Sequence, residues 1–148
     1  MRYLAILFLL IVVLMAGAFM LWNKLFGTSV SGSVSATGPA VGNWELTPDV
    51  CRSGDRRNFF GIQMFSKQNK ELSFLYVEEP ARGNMISVNV PGTDHGYRFF
   101  QEDCAVLNGS LHRGPTINQV RSISGTVDVD CHTDDASVKA HLTFKNCD

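Results

Sequence analysis

Hydrophobic and polar residues follow one pattern at the start of this chain and a different one beyond residue 42. The first pattern is a continuous apolar run, because the twenty residues from Tyr3 to Trp22 carry no charge. A helix of twenty residues extends about 30 Å, which is the thickness of the hydrocarbon core of a bilayer. The run therefore predicts a single transmembrane α-helix within residues 1–26.

The flanks of the apolar run predict its orientation. Tyr3 and Trp22 stand at its two ends, where aromatic rings favour the headgroup level, and Arg2 with the amino terminus outweighs Lys24. We expect a single-pass signal-anchor in the cell (inner) membrane, with the amino terminus in the cytoplasm and the rest of the chain in the periplasm. A cleaved signal peptide is the alternative interpretation, because the small residues of "MAGA" end an apolar stretch.

Beyond residue 42, short apolar runs alternate with polar residues and are separated by turn residues, which is typical of all-β folds. In "NFFGIQMFS", for example, Phe60, Ile62 and Met64 share one face. The predicted strands are 43–47, 58–66, 71–77, 85–90, 96–101, 104–111, 119–131 and 137–145. Together they predict a mainly β fold, in which the transmembrane helix precedes a small antiparallel β-sandwich over residues 43–148.

Residues 27–42, "GTSVSGSVSATGPAVG", lie between these two parts. The segment contains four Gly, four Ser and no charged residue. This composition is typical of a Gly/Ser linker, flexible or extended, whose ends would lie about 20–24 Å apart. We therefore expect a β-module that can stand clear of the bilayer.

Charge excludes one class of partner. All fourteen acidic residues lie at Glu45 or later, whereas two of the thirteen basic residues, Arg2 and Lys24, flank the apolar run. The β part therefore has eleven basic and fourteen acidic residues and is net acidic. A general nucleic-acid binder needs a concentrated basic face, so we expect no nucleic-acid partner.

Four cysteines predict disulfide bonds, because an even number of cysteines outside the cytoplasm meets an oxidising compartment. They are Cys51, Cys104, Cys131 and Cys147. Four cysteines allow three pairings. We favour Cys51 with Cys104 and Cys131 with Cys147, since the second bond would tie the end of the chain to the preceding hairpin.

The C-terminal segment "SGTVDVDCHTDDASVKAHLTFKNCD" also contains the residue types of a metal site. A zinc set of Cys131, His132, His141 and Cys147 lacks the spacing of a zinc knuckle, and the adjacent Cys131 and His132 would point to opposite faces of a strand. An acidic hairpin turn that binds Ca²⁺ weakly is a further alternative, although no EF-hand loop is present. We expect no metal site and no other cofactor.

No catalytic motif occurs in the sequence: there is no nucleophile elbow, HExxH helix, P-loop or dinucleotide fingerprint. Oxidised cysteines would also exclude a thiol nucleophile. His95 and His112 are predicted as surface residues. The sequence therefore predicts a non-enzymatic protein without catalytic or cofactor-binding residues.

One basic cluster, within "CRSGDRRNF", is a candidate contact with a partner. It combines three cationic side chains with an aromatic ring, which are the residue types that anchor many interfaces: Arg52, Arg56, Arg57 and Phe59. The same residues are typical of a solvated turn, which is the bland interpretation of this cluster, and a site for an anion or a lipid headgroup is a further alternative.

The stretches "CRSGDRRNFFGIQMF" and "ISGTVDVDC…VKAHLTFKNC" resemble small, uncharacterised, disulfide-bonded β-modules of the bacterial envelope, many of which are lipoproteins. The resemblance covers about 100 residues and implies a fold and a location, but no functional residues. This chain has an apolar helix in place of a lipidated cysteine, because its first cysteine is Cys51.

These features predict a membrane-anchored accessory or structural subunit, whose periplasmic β-module contacts other integral-membrane subunits of a membrane protein complex. The transmembrane helix and the β-module would be two points of attachment. Once the helix is in place, the contact of the β-module would be effectively intramolecular. The alternative function is an extracytoplasmic carbohydrate- or ligand-binding module, tethered or secreted. Its aromatic candidates are Tyr97, Phe99 and Phe100 of "GYRFFQ", although strand alternation places two of them in the core.

Overall fold

The structure is a computed structural model that describes residues 2–79, 81, 83–117 and 119–148; for residues 2–5, 7, 22–26 and 117 it describes the backbone only. A single α-helix, α1 (Arg2–Phe26), opens the described part of the chain. The strands that follow are β1 (Ser29–Thr37), β2 (Trp44–Leu46), β3 (Val50–Ser53), β4 (Gly61–Phe65), β5 (Ser73–Val77), β6 (Met85–Asn89), β7 (Gly96–Phe100), β8 (Cys104–Ile117), β9 (Val120–His132) and β10 (Ser137–Cys147). Two 3-10 helices, Gly54–Arg57 and Gln101–Asp103, follow β3 and β7.

The strands form two antiparallel sheets of five. The first has the order β2-β1-β10-β9-β8 and is called the terminal sheet, because it contains the first and last strands. The second has the order β3-β4-β5-β6-β7 and is called the meander sheet, because its neighbours are consecutive in the chain. Short turns suffice for the meander, whereas β1 pairs with β10 across more than a hundred residues.

The core lies between the two sheets. Strand alternation sends every second side chain inward, so Val34, Val127 and Leu142 of the terminal sheet and Ile62 and Phe74 of the meander sheet are fully buried in one apolar cluster. The predicted β-sandwich is therefore confirmed. Each of the eight predicted strands overlaps an observed one, and the two that were not predicted are β1 and β3.

The transmembrane part of the predicted fold is wrong. In the part of the chain that the structure describes, no helix has both the length and the apolar character to cross a membrane. Side chains of α1 are described without a gap over Phe8–Leu21, and fourteen helical residues extend only about 21 Å. The predicted interface residues Tyr3 and Trp22, and the orienting charges of Arg2 and Lys24, lie outside the described side chains.

Strand β1 lies within the segment that is predicted from its composition as a flexible linker. All nine of its residues pair with β10, and β2 pairs with its other edge. Val34 and Ala36 are fully buried in the core. Gly32 has a φ of +106°, and a Cβ there would overlap the carbonyl oxygen of His141, so the close approach of these two strands requires glycine. The sandwich therefore begins at Ser29 and not after residue 42.

Candidate functional site

The four cysteines form two disulfide bonds, Cys51–Cys147 and Cys104–Cys131. The prediction that all four are oxidised is confirmed, and the favoured pairing is wrong. In the β9–β10 hairpin Cys131 lies opposite Val138, while Cys147 lies opposite Ile123, eight residues away along β9. Eight strand residues extend about 27 Å, so Cys131 and Cys147 cannot meet. Cys131 is instead aligned with Cys104 on β8.

The C-terminal acidic and histidine residues are distributed along two strands. His141 pairs with Asp128, and Lys139 pairs with Asp130 at 3.1 Å, both on the outer face of the terminal sheet. His132 is exposed, as are Asp134 and Asp135 in the turn. Among the residues that the structure describes, no group of three or more His, Cys, Asp or Glu could hold a metal ion.

The two outer faces of the sandwich differ in chemistry. On the terminal sheet, one row across four strands reads Ser33, His141, Asp128 and Asn108. The next row contains Ser35, Lys139 and Asp130 and ends at Val106, the one exposed large apolar side chain that the structure describes on this face. This face is polar, and its charges have both signs.

The outer face of the meander sheet has one apolar row at one end of its strands, and it carries arginines on its two edge strands. A row across four strands contains Gly61, Val77, Met85 and Phe100. Val77 and Met85 are half-buried, and Phe100 is 44% exposed. The neighbouring row reads Arg52, Gln63, Leu75, Ser87 and Arg98. No carboxylate occupies an outward position on β3–β7, so Arg52 and Arg98 give this face positive charge only.

A basic depression lies at one corner of this face and has a volume of about 250 Å³. It is lined by Arg52, Arg57, Gln63, Phe65, Lys70, Ser73 and Asn89. The guanidinium of Arg52 lies 4.9 Å from the centre of the Phe65 ring, which is a cation–π contact. Within the described part of the chain, Arg52, Arg57 and Lys70 form no ion pair with a carboxylate. Three cations without a direct ion-pair partner among the described residues therefore line one small depression, and Lys70 also lines a neighbouring depression that contains Glu71 and Asp94.

The structure brings together only part of the predicted contact cluster. Arg52 and Arg57 line the depression, whereas Arg56 is exposed on the 3-10 helix and does not. Phe59 is half-buried, and its ring packs so closely on Gly54 that a Cβ there would overlap it. Lys70 and Phe65 were not predicted, although the alternation of "GIQMF" places Phe65 opposite Ile62 and Met64 and so on the outer face.

Polar contacts hold the basic 3-10 helix in place. Ser53 Oγ accepts a hydrogen bond from the Asp55 backbone N–H at 3.2 Å and donates to the Arg121 carbonyl at 2.9 Å. The Arg121 backbone N–H donates to Asp55 Oδ2 at 3.0 Å. The segment that was predicted as a solvated turn is therefore strand β3 followed by a 3-10 helix that is hydrogen-bonded to β9.

The three candidate aromatics on β7 lie on different faces. Phe99 is fully buried, so its assignment to an exposed ligand site is wrong. Tyr97 is half-buried against the core, with its hydroxyl 3.0 Å from Thr133 Oγ1. Phe100 points outward. The expectation that alternation places two of the three toward the core is confirmed.

A second depression, of about 520 Å³, lies between the β1–β2 turn, the β4–β5 turn and the start of the β6–β7 turn. Its lining includes Pro39, Asn43, Trp44, Asn69 and Pro91. Trp44 Nε1 donates to the Val41 carbonyl at 2.9 Å, which fixes the half-buried indole. The side-chain oxygens of Asn43 and Asn69 accept from the backbone N–H groups of Gly38 and Glu71, each at 3.2 Å. Their amide NH₂ groups are thereby fixed in orientation.

One buried polar group belongs to neither surface. Tyr76 is fully buried on β5, and its hydroxyl has no hydrogen-bond partner among the described residues. The hydroxyl abuts Gly109 on the opposite sheet, where a Cβ would overlap it. Burial, with a smaller contribution from the Glu78 carboxylate, raises the pKa of Tyr76 from 10.0 to about 12. This group is part of the core.

The chain matches no protein-family model, no curated protein and no solved structure. The resemblance to bacterial envelope modules therefore stays a prediction.

Proposed function

We propose that this chain is a non-enzymatic accessory subunit of a larger protein complex, and that it binds its partner through the outer face of the meander sheet. Two intramolecular disulfides support a location outside the cytoplasm, because such bonds persist in oxidising compartments.

The observation that carries the proposal is the difference between the two outer faces. The terminal sheet presents Ser, Thr, Asp, His and Lys with one exposed apolar side chain, Val106, as expected for a solvated surface. The meander sheet presents Leu75, Val77, Met85 and Phe100 beside arginines. Methionine, arginine and aromatic residues are enriched at interfaces, whereas carboxylates are depleted there. The outer face of β3–β7, four strands of five residues and one of four, covers about 24 by 17 Å, or about 400 Å², and its apolar side chains occupy part of that area.

Site-specific photocrosslinking in the cells that produce the protein tests this function. A photoreactive amino acid is placed at Leu75, Ser87 or Arg98 on the meander sheet, and at Ser33 or Thr143 on the terminal sheet as matched controls. We expect a discrete crosslinked protein from the meander positions and none from the controls. Equal crosslinking from both faces, or none from the meander face, would contradict the proposal.

A second candidate function, a carbohydrate- or ligand-binding module, is favoured by the depression beside Trp44. An indole fixed beside prolines, together with oriented amide donors, suits a ring with one apolar face and several hydroxyls. Replacing Trp22 with Phe leaves Trp44 as the single tryptophan. Titration of this variant with neutral oligosaccharides should then quench or shift the fluorescence of Trp44, and unchanged spectra would remove this candidate.

A further inference from the structure

We infer that the partner of the meander face is an acidic protein surface, whose carboxylates bind at the basic depression while its apolar side chains cover the neighbouring row. This inference rests on the proposed function and adds the chemistry of the partner. It concerns Arg52, Arg57 and Lys70 at the depression and Val77, Met85 and Phe100 along the row.

The first argument is the separation of charge within the chain. The β part is net acidic, yet every charged side chain at an outward position of β3–β7 is an arginine. Arg57 and Lys70 add two further cations at the rim of the same face. Cations that are not neutralised within the chain favour an anionic partner, because complementary potentials steer association and fix its register.

The second argument is the geometry of the depression. Arg52 is held over the ring of Phe65, and Arg57 extends from a 3-10 helix that is hydrogen-bonded to β9. The guanidinium of Arg52, held in this way, binds a carboxylate with less loss of side-chain entropy, and it can do so with two parallel hydrogen bonds. The side chains of Gln63, Ser73 and Asn89 bring further donor groups to the lining. A depression of about 250 Å³ is large enough for one or two carboxylate side chains.

The third argument separates a protein from other anions. A sulfated glycan offers no apolar surface to cover Val77, Met85 and Phe100. A bilayer would take up apolar side chains that protrude, as interfacial helices do, but of these three side chains only Phe100 is exposed, whereas Val77 and Met85 are half-buried. A protein surface that combines carboxylates with apolar side chains complements both halves of this face.

The test uses the full-length chain and short synthetic peptides that alternate Leu with Glu, with Lys or with Gln. Two other anionic probes, heparin and vesicles that contain phosphatidylserine, are measured beside them. The variant R52E/R57E reverses two charges at the depression. The matched control, K139E/K145E, makes the same change of net charge on the outer face of the terminal sheet, where both lysines are exposed. Far-ultraviolet circular dichroism verifies that both variants fold.

We expect the Glu–Leu peptide to bind and its affinity to fall as salt concentration rises. R52E/R57E should raise its Kd by about tenfold or more, while K139E/K145E leaves the Kd unchanged. Backbone amide shifts in the NMR spectrum should be confined to β3–β7 and the 3-10 helix after β3. Binding of the Gln–Leu peptide with equal affinity, no binding of the Glu–Leu peptide, or stronger binding of heparin or vesicles would overturn the inference.

Failure of this inference is distinguishable from failure of the proposed function. If crosslinks from Leu75 and Ser87 persist in the R52E/R57E variant, the meander face binds a partner without acidic recognition, and only the inference is wrong. If the unmodified chain gives no crosslinks from those positions, the proposed function itself is wrong.

Discussion

Replacement of Tyr76 with Phe should stabilise the protein. The hydroxyl of Tyr76 is buried against Gly109 and has no partner among the described residues, whereas water satisfies it in the unfolded chain. Burial of an unsatisfied hydroxyl costs about 1–3 kcal/mol, and Tyr76→Phe removes that cost while the ring keeps its packing. Urea unfolding at pH 8, followed by circular dichroism, should therefore show a higher free energy of unfolding for the variant.

The same residue predicts how stability changes at alkaline pH. Because burial raises the pKa of Tyr76 from 10.0 to about 12, the tyrosine of the unfolded chain ionises first as pH rises. The contribution of Tyr76 ionisation to the free energy of unfolding is therefore constant below about pH 10. As pH rises toward 12, the unfolded chain ionises and the free energy of unfolding falls. One pKa unit corresponds to about 1.4 kcal/mol, so the loss reaches about 2–3 kcal/mol. The advantage of Tyr76→Phe should widen by that amount over this interval.

Two measurements check this reasoning. Urea unfolding at several pH values gives the free energy of unfolding of both proteins. The difference in absorbance at about 295 nm between the two folded proteins reports the ionisation of Tyr76 alone, because the other tyrosines cancel. A variant that is less stable at pH 8 would mean that the hydroxyl has a bonding partner. Parallel stability curves between pH 10 and 12 would refute the raised pKa.

Three further changes probe contacts within the terminal sheet and between the two sheets, each measured by urea unfolding. Gly109→Ala should cost about 1–3 kcal/mol because its Cβ overlaps the Tyr76 hydroxyl, and Tyr76→Phe should restore part of that loss. Gly32→Ala should cost about 2 kcal/mol or more, since it combines a φ of +106° with overlap of the β10 backbone; a neutral result would mean that β1 pairs differently. Serine replacement of both cysteines should cost about 4–5 kcal/mol at Cys51–Cys147, which spans 96 residues, and about 3–4 kcal/mol at Cys104–Cys131, which spans 27. The reverse order would show that loop length does not control their contributions.

The sequence by itself determined the local elements wherever one face of a strand meets the core. In "NFFGIQMFS" the alternation correctly places Ile62 and Met64 inside, and both are fully buried. The same rule places Phe99 inside and Phe100 outside. The oxidised state of the cysteines also follows from their number. The position of a strand and the face that it buries depend on neighbouring residues. Because side chains alternate with a period of two along a strand, both can be predicted from the sequence.

Only the tertiary structure decided the features that depend on pairing between distant segments. The Gly- and Ser-rich composition of residues 29–37 predicts a linker, but pairing with β10 and burial of Val34 and Ala36 make this segment a strand in the terminal sheet. The register of β9 against β10 set the disulfide pairing, because it separates Cys131 from Cys147 by eight rungs. The meander likewise brought Lys70 beside Arg52 and Arg57. In a sandwich, strands that are far apart in the chain pair with and bury one another. No local sequence pattern specifies which strands pair.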